Sequence, residues 1–113
     1  VVGVDEVGVV DLALLGGQVP QVNLEIIEPG PEPDAITMRV HERVAGITEA
    51  CGTGACAAAF AARSWGLVAS GDGHVVVHMD GGTATVSFAP DSPTCAVLTG
   101  PATQIATIEI EVR

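Results

Sequence analysis

The chain has 113 residues, 48% of them hydrophobic, and this length and composition fit one folded domain and exclude an intrinsically disordered chain. Fourteen acidic residues against four arginines and no lysine give a formal net charge of -10, which argues against nucleic acid and anionic membranes as partners. The sequence contains neither an apolar run of the roughly 20 residues that span a membrane nor a signal-like leader. We therefore expect a soluble cytoplasmic protein.

The sequence begins with strand-like residues and without an initiator methionine. For these two reasons we expect a preceding segment. Residues 1–4 are apolar and predict the end of a strand. Asp11 is placed to cap a short helical turn over residues 12–15, which Gly16 and Gly17 are expected to end.

Two strands are predicted on either side of a proline-rich turn. Residues 22–27 and 36–43 alternate between apolar and polar side chains with period two, and the prolines within residues 28–34 forbid regular structure between them. Glu42 continues the apolar face of the second strand, whereas Arg43 points the other way. A carboxylate on that face either emerges beyond the core at the strand end or serves a function.

A glycine-rich turn then leads from Cys51 into an alanine-rich helix predicted over residues 54–65. The connection over residues 44–49 is short, so Glu42 and Cys51 are expected to be neighbours in space. Unpaired backbone N–H groups and the positive end of the macrodipole attract an anion to a helix start, and they favour the reactive thiolate of a cysteine there. Thr53 is expected to act as N-cap or to donate its hydroxyl.

The three cysteines, at positions 51, 56 and 95, form neither an even disulfide framework nor the paired spacing of a zinc site. Free cysteine is often a small apolar filler in a core. Cys56 lies in an alanine-rich run and Cys95 in an apolar stretch, so both are predicted to be structural. Cys51 differs because glycines and a threonine follow it, and a nucleophilic or basic role stays open beside a structural one.

The remaining sequence predicts strands around the helix. The helix is apolar around most of its circumference, with Gly66 as its C-cap, and is therefore expected to be surrounded by protein. Residues 75–79 and 83–88 flank an Asp-Gly-Gly turn and predict a hairpin, and residues 104–112 predict a last strand. The expected fold is α+β, a curled and mainly antiparallel β-sheet wrapped around a central apolar α-helix.

The motifs together resemble a known family. His-Glu-Arg at residues 41–43, followed eight residues later by Cys-Gly-Thr-Gly-Ala-Cys-Ala at residues 51–57, is similar to the C-terminal half of diaminopimelate epimerase, a pyridoxal-independent amino acid epimerase. Residues 22–25 and 98–102 resemble two further segments of that family. The resemblance implies that residues 1–113 form one domain of a two-domain fold, that the N-terminal domain with a second catalytic cysteine is absent from this chain, and that the isolated chain is inactive.

The resemblance also implies roles at the reacting end of the substrate. Cys51 would be the acid/base cysteine, and the backbone of Gly52 and Thr53 would bind the carboxylate at the reacting stereocentre. Inversion removes a proton on one face and delivers one on the other, which is why such an enzyme has two cysteines. The implied reaction interconverts LL- and meso-diaminopimelate in lysine and peptidoglycan biosynthesis without a cofactor.

Further roles are implied for the residues around the thiol. Glu42 would hold the substrate ammonium and tune the thiol, and Asn23 and Arg43 would fix the distal amino acid group. Val44 and Ile47 depart from the family pattern, which usually has glycine and often glutamate there. Valine does not comfortably adopt a positive φ, which bears on the loop after Arg43.

Three classes of function remain open from the sequence. The chain is the C-terminal half of a diaminopimelate epimerase, an autonomous binding domain without catalysis, or a homodimeric racemase in which a two-fold axis places Cys51 opposite its copy. Within catalysis, racemases of proline or hydroxyproline that share the fold are the alternative. Asn23 and Arg43 favour a substrate with two amino acid ends.

Overall fold

The computed structural model describes residues 1–69, 71 and 73–113, except for the side chain of residue 93. Within these ranges the chain folds as an α+β protein, as the sequence predicts. The elements in chain order are β1 (Val2–Gly3), α1 (Leu12–Gln18), β2 (Leu24–Pro29), β3 (Ala35–Glu42), β4 (Gly46–Thr48), α2 (Gly52–Ser64), β5 (His74–Met79), β6 (Gly82–Ala89) and β7 (Ser92–Thr99).

The strands form one open sheet with the order β1-β2-β3-β5-β6-β7, and β4 pairs with β3 outside this path. The pairs β1/β2 and β3/β5 are parallel, and the pairs β2/β3, β3/β4, β5/β6 and β6/β7 are antiparallel. The sheet is therefore mixed and mainly antiparallel. The hairpin of β5 and β6 is confirmed, with Ala84, Val86 and Phe88 buried on its inner face.

The helix α2 packs on one face of the sheet through its small side chains. Ala55, Ala58, Ala59 and Ala62 are fully buried against apolar residues of the strands. The opposite side of the helix, including Phe60 at 48% exposure, is open to solvent. The helix is thus not enclosed on all sides as expected, because the described strands lie on one side of it.

The ends of α2 depend on two different caps. Cys51, and not Thr53, is the N-cap, so the helix begins at Gly52, earlier than predicted. At the other end Gly66 has φ +70°, and the N–H groups of residues 66 and 67 donate to the carbonyls of Arg63 and Ala62 at 3.2 and 2.9 Å. This arrangement is a Schellman motif, which explains the glycine at that position.

The helix α1 covers part of the other face of the sheet through Leu12, which packs with Val7 and Ile26. Asp11 caps it as predicted, since its Oδ1 accepts a hydrogen bond from the backbone N–H of residue 14 at 3.0 Å. The two glycines do not end the helix, which continues to Gln18. Gly16 has a packing role instead, because it lies directly against the ring of His41.

Two expectations for the C-terminal part are wrong. Residues 100–113 contain no regular structure and are exposed, so no strand forms over residues 104–112. Their alternating aliphatic side chains have no neighbouring strand in the described chain to pair with. Cys95 is exposed on β7 and does not fill the core, whereas Cys56 is half-buried and packs against it.

None of the helices in the described ranges has the length and apolar character to cross a membrane.

Substitution of Gly16 by alanine is expected to lower the free energy of unfolding by about 1–3 kcal/mol, because a Cβ at this position would overlap the ring of His41. Gly17→Ala is the matched control in the same helix, since a Cβ there meets no atom within 4 Å. This control should raise the stability by about 1 kcal/mol through helix propensity. Urea unfolding followed by circular dichroism measures both, and equal effects of the two substitutions would contradict the packing argument.

Candidate functional site

The strand register gathers the predicted site residues at one end of the sheet. Leu24 of β2 lies opposite His41 of β3, so Asn23, just before β2, is placed beside the end of β3. The Oδ1 atom of Asn23 accepts a hydrogen bond from the backbone N–H of Arg43 at 2.8 Å. This contact fixes the direction in which the chain leaves β3.

Glu42 is half-buried at the end of β3. It lies on the same side of the strand as Val40, which packs against α2. The hydroxyl of Thr48 in β4 donates to Oε1 of Glu42 at 2.6 Å. The carboxylate is therefore held by a neighbouring strand, and it does not simply extend into solvent beyond the core.

The loop after Arg43 folds without strain at the position that departs from the family pattern. Among the described residues, no residue other than glycine has a positive φ, and Gly46 with φ +74° makes the turn instead. Val44 is 91% exposed and makes no core contact, and Ile47 is 45% exposed in β4. Neither departure therefore forces a positive φ on a residue other than glycine in this loop.

Cys51 is buried, with 8% of its surface exposed, at the start of α2. Its Sγ accepts a hydrogen bond from the backbone N–H of Gly54 at 3.4 Å and lies 3.5 Å from the hydroxyl of Thr53. The sulfur occupies the acceptor position that serine or aspartate oxygen takes in most N-caps. The thiol is thereby fixed at the positive end of the helix.

Two backbone N–H groups next to the thiol have no partner in the described part of the chain. The first intrahelical bond joins Ala55 N–H to the carbonyl of Cys51 at 2.9 Å, so the amides of Gly52 and Thr53 precede the hydrogen-bonding ladder. Both residues are exposed. The structure therefore presents a thiol beside two accessible donors, an arrangement suited to an anion such as a carboxylate.

An open cavity of about 230 Å³ adjoins this helix start. A Cβ on Gly52 would lie 2.9 Å from Cδ2 of Leu98, so the end of β7 closes over the first turn of α2. The cavity is lined mainly by small and apolar residues, namely Ala50, Gly52, Met79, Ala84, Leu98 and Pro101. Part of the segment over residues 98–102 thus borders this cavity.

One residue of this region was missed by the sequence analysis. Glu25 in β2 is 5% exposed, and it is the buried charged residue of the described chain. Its Oε1 lies 2.9 Å from the point where a Cβ on Gly54 would stand. The alternation of β2 could have located it, because Glu25 shares its side of the strand with Asn23 and the buried Ile27.

The predicted site residues lie at the start of α2 and at the adjoining ends of β2 and β3. The thiol, the two free amides and the carboxylates of Glu25 and Glu42 come from three elements packed together, and Asn23 and Arg43 lie at the adjoining strand ends. These residues offer a thiol, backbone donors suited to an anion and carboxylate acceptors suited to a cation. Such a combination matches an amino acid headgroup in charge and in hydrogen-bonding character.

A solved structure with a similar fold is the Bacillus anthracis phenazine biosynthesis protein of the PhzF family. It superimposes with a TM-score of 0.59 and 16% sequence identity over 75% of this chain and 29% of that chain. At this identity the similarity concerns the fold alone.

Sequence comparison finds relatives named diaminopimelate epimerase. The protein of Rhizorhabdus wittichii is 49% identical over 76 residues, which are 67% of this chain and 26% of that protein. The protein of Thioalkalivibrio sulfidiphilus is 39% identical over 89 residues, or 79% of this chain and 30% of that protein. The matched part of the chain thus spans less than a third of the length of these relatives.

The family model described as diaminopimelate epimerase matches residues 11–105. This range includes both strands that carry the site, the whole of α2, and the segment that closes over it. The chain belongs to the diaminopimelate epimerase family.

Proposed function

We propose that the chain is the C-terminal half of a diaminopimelate epimerase, which interconverts LL- and meso-diaminopimelate by two-cysteine acid/base proton transfer. The observation that carries this proposal is the position of the Cys51 sulfur beside the free amides of Gly52 and Thr53 at the start of α2. Membership of the family supports the reaction class, and the placement of the thiol supports the role of this half.

The two amides and the helix start serve the carboxylate of the reacting amino acid group. Removal of the α-proton leaves negative charge that spreads into this carboxylate, and fixed N–H donors stabilise that charge without reorganising. The α-carbon is bonded to the carboxylate, so binding at Gly52 and Thr53 brings its hydrogen next to the sulfur of Cys51. The order of residues in the turn thus links substrate binding to the acid/base group.

In one direction the thiolate of Cys51 takes the α-proton and becomes a thiol, while the cysteine of the other half gives its proton to the opposite face of the carbanion. In the reverse direction the roles exchange. In each turnover the α-carbon of the substrate loses one proton and gains another. No oxidant, reductant or organic cofactor is therefore consumed. This requirement for two opposed thiols is why we expect the isolated chain to be inactive.

Glu42 receives the ammonium of the reacting end. Its Oε1 accepts the hydrogen bond from Thr48 at 2.6 Å, and its other oxygen is left for a cation. The hydrogen bond also restricts the rotation of the carboxylate, which lowers the entropy cost of holding a substrate.

Asn23 and Arg43 bind the distal end of the substrate. The amide oxygen of Asn23 is used by the backbone of Arg43, so its NH2 group is the part that faces a ligand. Arg43 is exposed, and its guanidinium forms no ion pair within the described ranges. Both side chains therefore offer donors, which suits a second carboxylate and explains a preference for an amino acid with two ends. The enzyme would act in the cytoplasm, in lysine and peptidoglycan biosynthesis.

A chimera tests the acid/base role. When this chain replaces its matching segment in the Rhizorhabdus wittichii relative, we expect formation of meso-diaminopimelate from the LL isomer, whereas the 113-residue chain alone should form none. Cys51→Ser in the chimera should lower kcat by about 10²–10⁴-fold, because the acid/base group is lost. Chiral chromatography of the products measures both.

Cys95→Ser is the control for that experiment, because Cys95 is exposed on β7, and it should leave the rate unchanged. An inactive chimera would contradict the assignment of this chain as an epimerase half. A Cys51→Ser chimera that keeps its full rate would favour the non-catalytic binding domain.

The same chimera tests the substrate. Arg43→Gln should raise the KM for diaminopimelate by about 10- to 100-fold, since a charged hydrogen bond to the distal carboxylate contributes about 1.5–3 kcal/mol. The matched control is Arg39→Gln, which removes an arginine that already pairs with Asp80 and should leave KM unchanged. Faster turnover of proline than of diaminopimelate would refute the substrate assignment and favour a proline racemase.

A further inference from the structure

The turn between β5 and β6 contains two adjacent glycines, which occupy different kinds of position. Gly82 has φ +144°, a conformation that favours glycine. Gly81 has no positive φ, so its own backbone conformation does not require glycine. The reason for glycine at position 81 therefore lies in its surroundings.

Gly81 lies directly against the connection between β4 and α2. Its N–H donates to the carbonyl of Glu49 at 2.8 Å. A Cβ on Gly81 would lie 3.0 Å from the Cβ of Glu49, 3.1 Å from its carbonyl oxygen and 3.3 Å from its carbonyl carbon. Two of these three atoms belong to the backbone, so an added side chain would push the connection itself. The absence of a side chain at position 81 thus permits the close contact.

The sheet topology produces this contact. β2 pairs with β3 over residues 36–41 of β3, so β5 and β4 share the other side of β3, where they pair with residues 35–37 and 40–42. The two strands therefore follow one another along β3, and the turn that ends β5 meets the residue that follows β4. Met79 and Gly82 pair at the base of the hairpin, which fixes the turn to the sheet.

The connection that Gly81 contacts is otherwise loosely packed. Glu49 and Ala50 are exposed, and Ala50 borders the cavity of about 230 Å³ beside the helix start. Among the described residues, the bond from Gly81 is the backbone hydrogen bond that joins residues 49 and 50 to another part of the fold. The position of this short segment therefore depends on the hairpin turn.

We propose that Gly81 is a positioning residue for Cys51, because its contact with Glu49 sets the point at which the chain enters α2. Thr48, just before this contact, holds Glu42 through its hydroxyl, and Cys51, two residues after it, is the N-cap of α2. A displacement at Glu49 therefore moves the sulfur and the adjacent amides relative to Glu42, which belongs to β3. The consequence for catalysis rests on the proposed function, whereas the placement of the sulfur does not.

In the proposed reaction the substrate bridges the helix start and β3. Its carboxylate binds at Gly52 and Thr53 and its ammonium at Glu42, so the approach of the α-hydrogen to the sulfur depends on the distance between these elements. A misplacement of about 1 Å can lower a rate by about 100-fold. The contacts at Glu42 and at the distal end do not involve Gly81, so its replacement should lower kcat more than it raises KM.

Labelling with iodoacetamide at one fixed pH tests the placement in the 113-residue chain, without substrate or a second half. Trypsin cleaves after Arg43 and Arg63, so one peptide carries both Cys51 and Cys56, and fragmentation distinguishes their labels. Cys95 is exposed and serves as the internal reference for the reagent.

Gly81→Ala should raise the labelling rate of Cys51, which is 8% exposed, and leave that of Cys56 unchanged, because only the entry to the helix is displaced. The expected increase is about three- to tenfold, as for a local opening that leaves the rest of the fold in place. Gly17→Ala is the matched control and should change neither rate, since a Cβ there meets no atom within 4 Å. A merely structural role of Gly81 would lower the stability of the whole chain and raise the labelling of both cysteines in parallel.

In the chimera with the Rhizorhabdus wittichii relative, Gly81→Ala should lower kcat about tenfold and change the KM for diaminopimelate by less than about threefold. Gly17→Ala should leave both constants unchanged. An active chimera whose kcat does not respond to Gly81→Ala would overturn the catalytic part of the inference. An inactive unmodified chimera would refute the epimerase instead, and the labelling of the 113-residue chain then decides the role of Gly81.

Unchanged labelling of Cys51, or a parallel rise at Cys51 and Cys56, in folded Gly81→Ala would overturn the inference. If circular dichroism shows that this variant does not fold, hydrogen exchange of the Gly81 amide in the unmodified chain decides. Its bond to Glu49 should slow this exchange by about 100-fold or more relative to a free turn amide. Exchange at the rate of an unprotected amide would contradict the contact on which the inference depends.

Discussion

The close contact between α2 and the sheet is the constraint on which the rest of the structure depends. Only small side chains let a helix approach a sheet so nearly, and the buried face of α2 consists of Gly54 and four alanines. A larger residue at Gly54 would separate the helix start from β2, since a Cβ there already falls within 2.9 Å of Glu25. The composition of one helix face thus sets the position of the thiol, of the free amides and of the carboxylate beneath them.

Much of this arrangement could be predicted from the sequence, because it follows from local rules. Period-two alternation located β3, β5 and β6 and the inward side of Glu42, and the Asp-Gly-Gly turn located the hairpin. The glycine-rich turn after Cys51 indicated a helix start with unpaired amides. The family was recognisable from the order of these motifs along the whole chain, and the match over residues 11–105 confirms it.

What could not be predicted depends on contacts between distant residues. The packing of Gly16 against His41 is one example. Only the tertiary structure shows that the ring of His41 occupies the space that a side chain at position 16 would need. Cys95 is another, since an apolar neighbourhood in sequence does not reveal that β7 leaves this side chain exposed. In the sequence, Glu25 resembles any exposed polar residue of a strand, because only the tertiary structure shows that α2 packs over it. In each case the sequence specifies the residue, and the tertiary structure specifies its environment.

The exposed C-terminal segment has a consequence for handling the isolated chain. Ile105, Ile108, Ile110 and Val112 are 95, 78, 79 and 90% exposed, and the last three alternate with polar residues as in a strand. β7, which precedes them in the chain, ends the sheet with an edge whose hydrogen-bonding groups have no further strand beside them in the described chain. A free sheet edge together with an unpaired strand-like segment promotes self-association in concentrated solution. The mutual repulsion of molecules with a net charge of -10 opposes it, so colloidal stability of the purified chain will depend on low ionic strength and on a pH well above its isoelectric point.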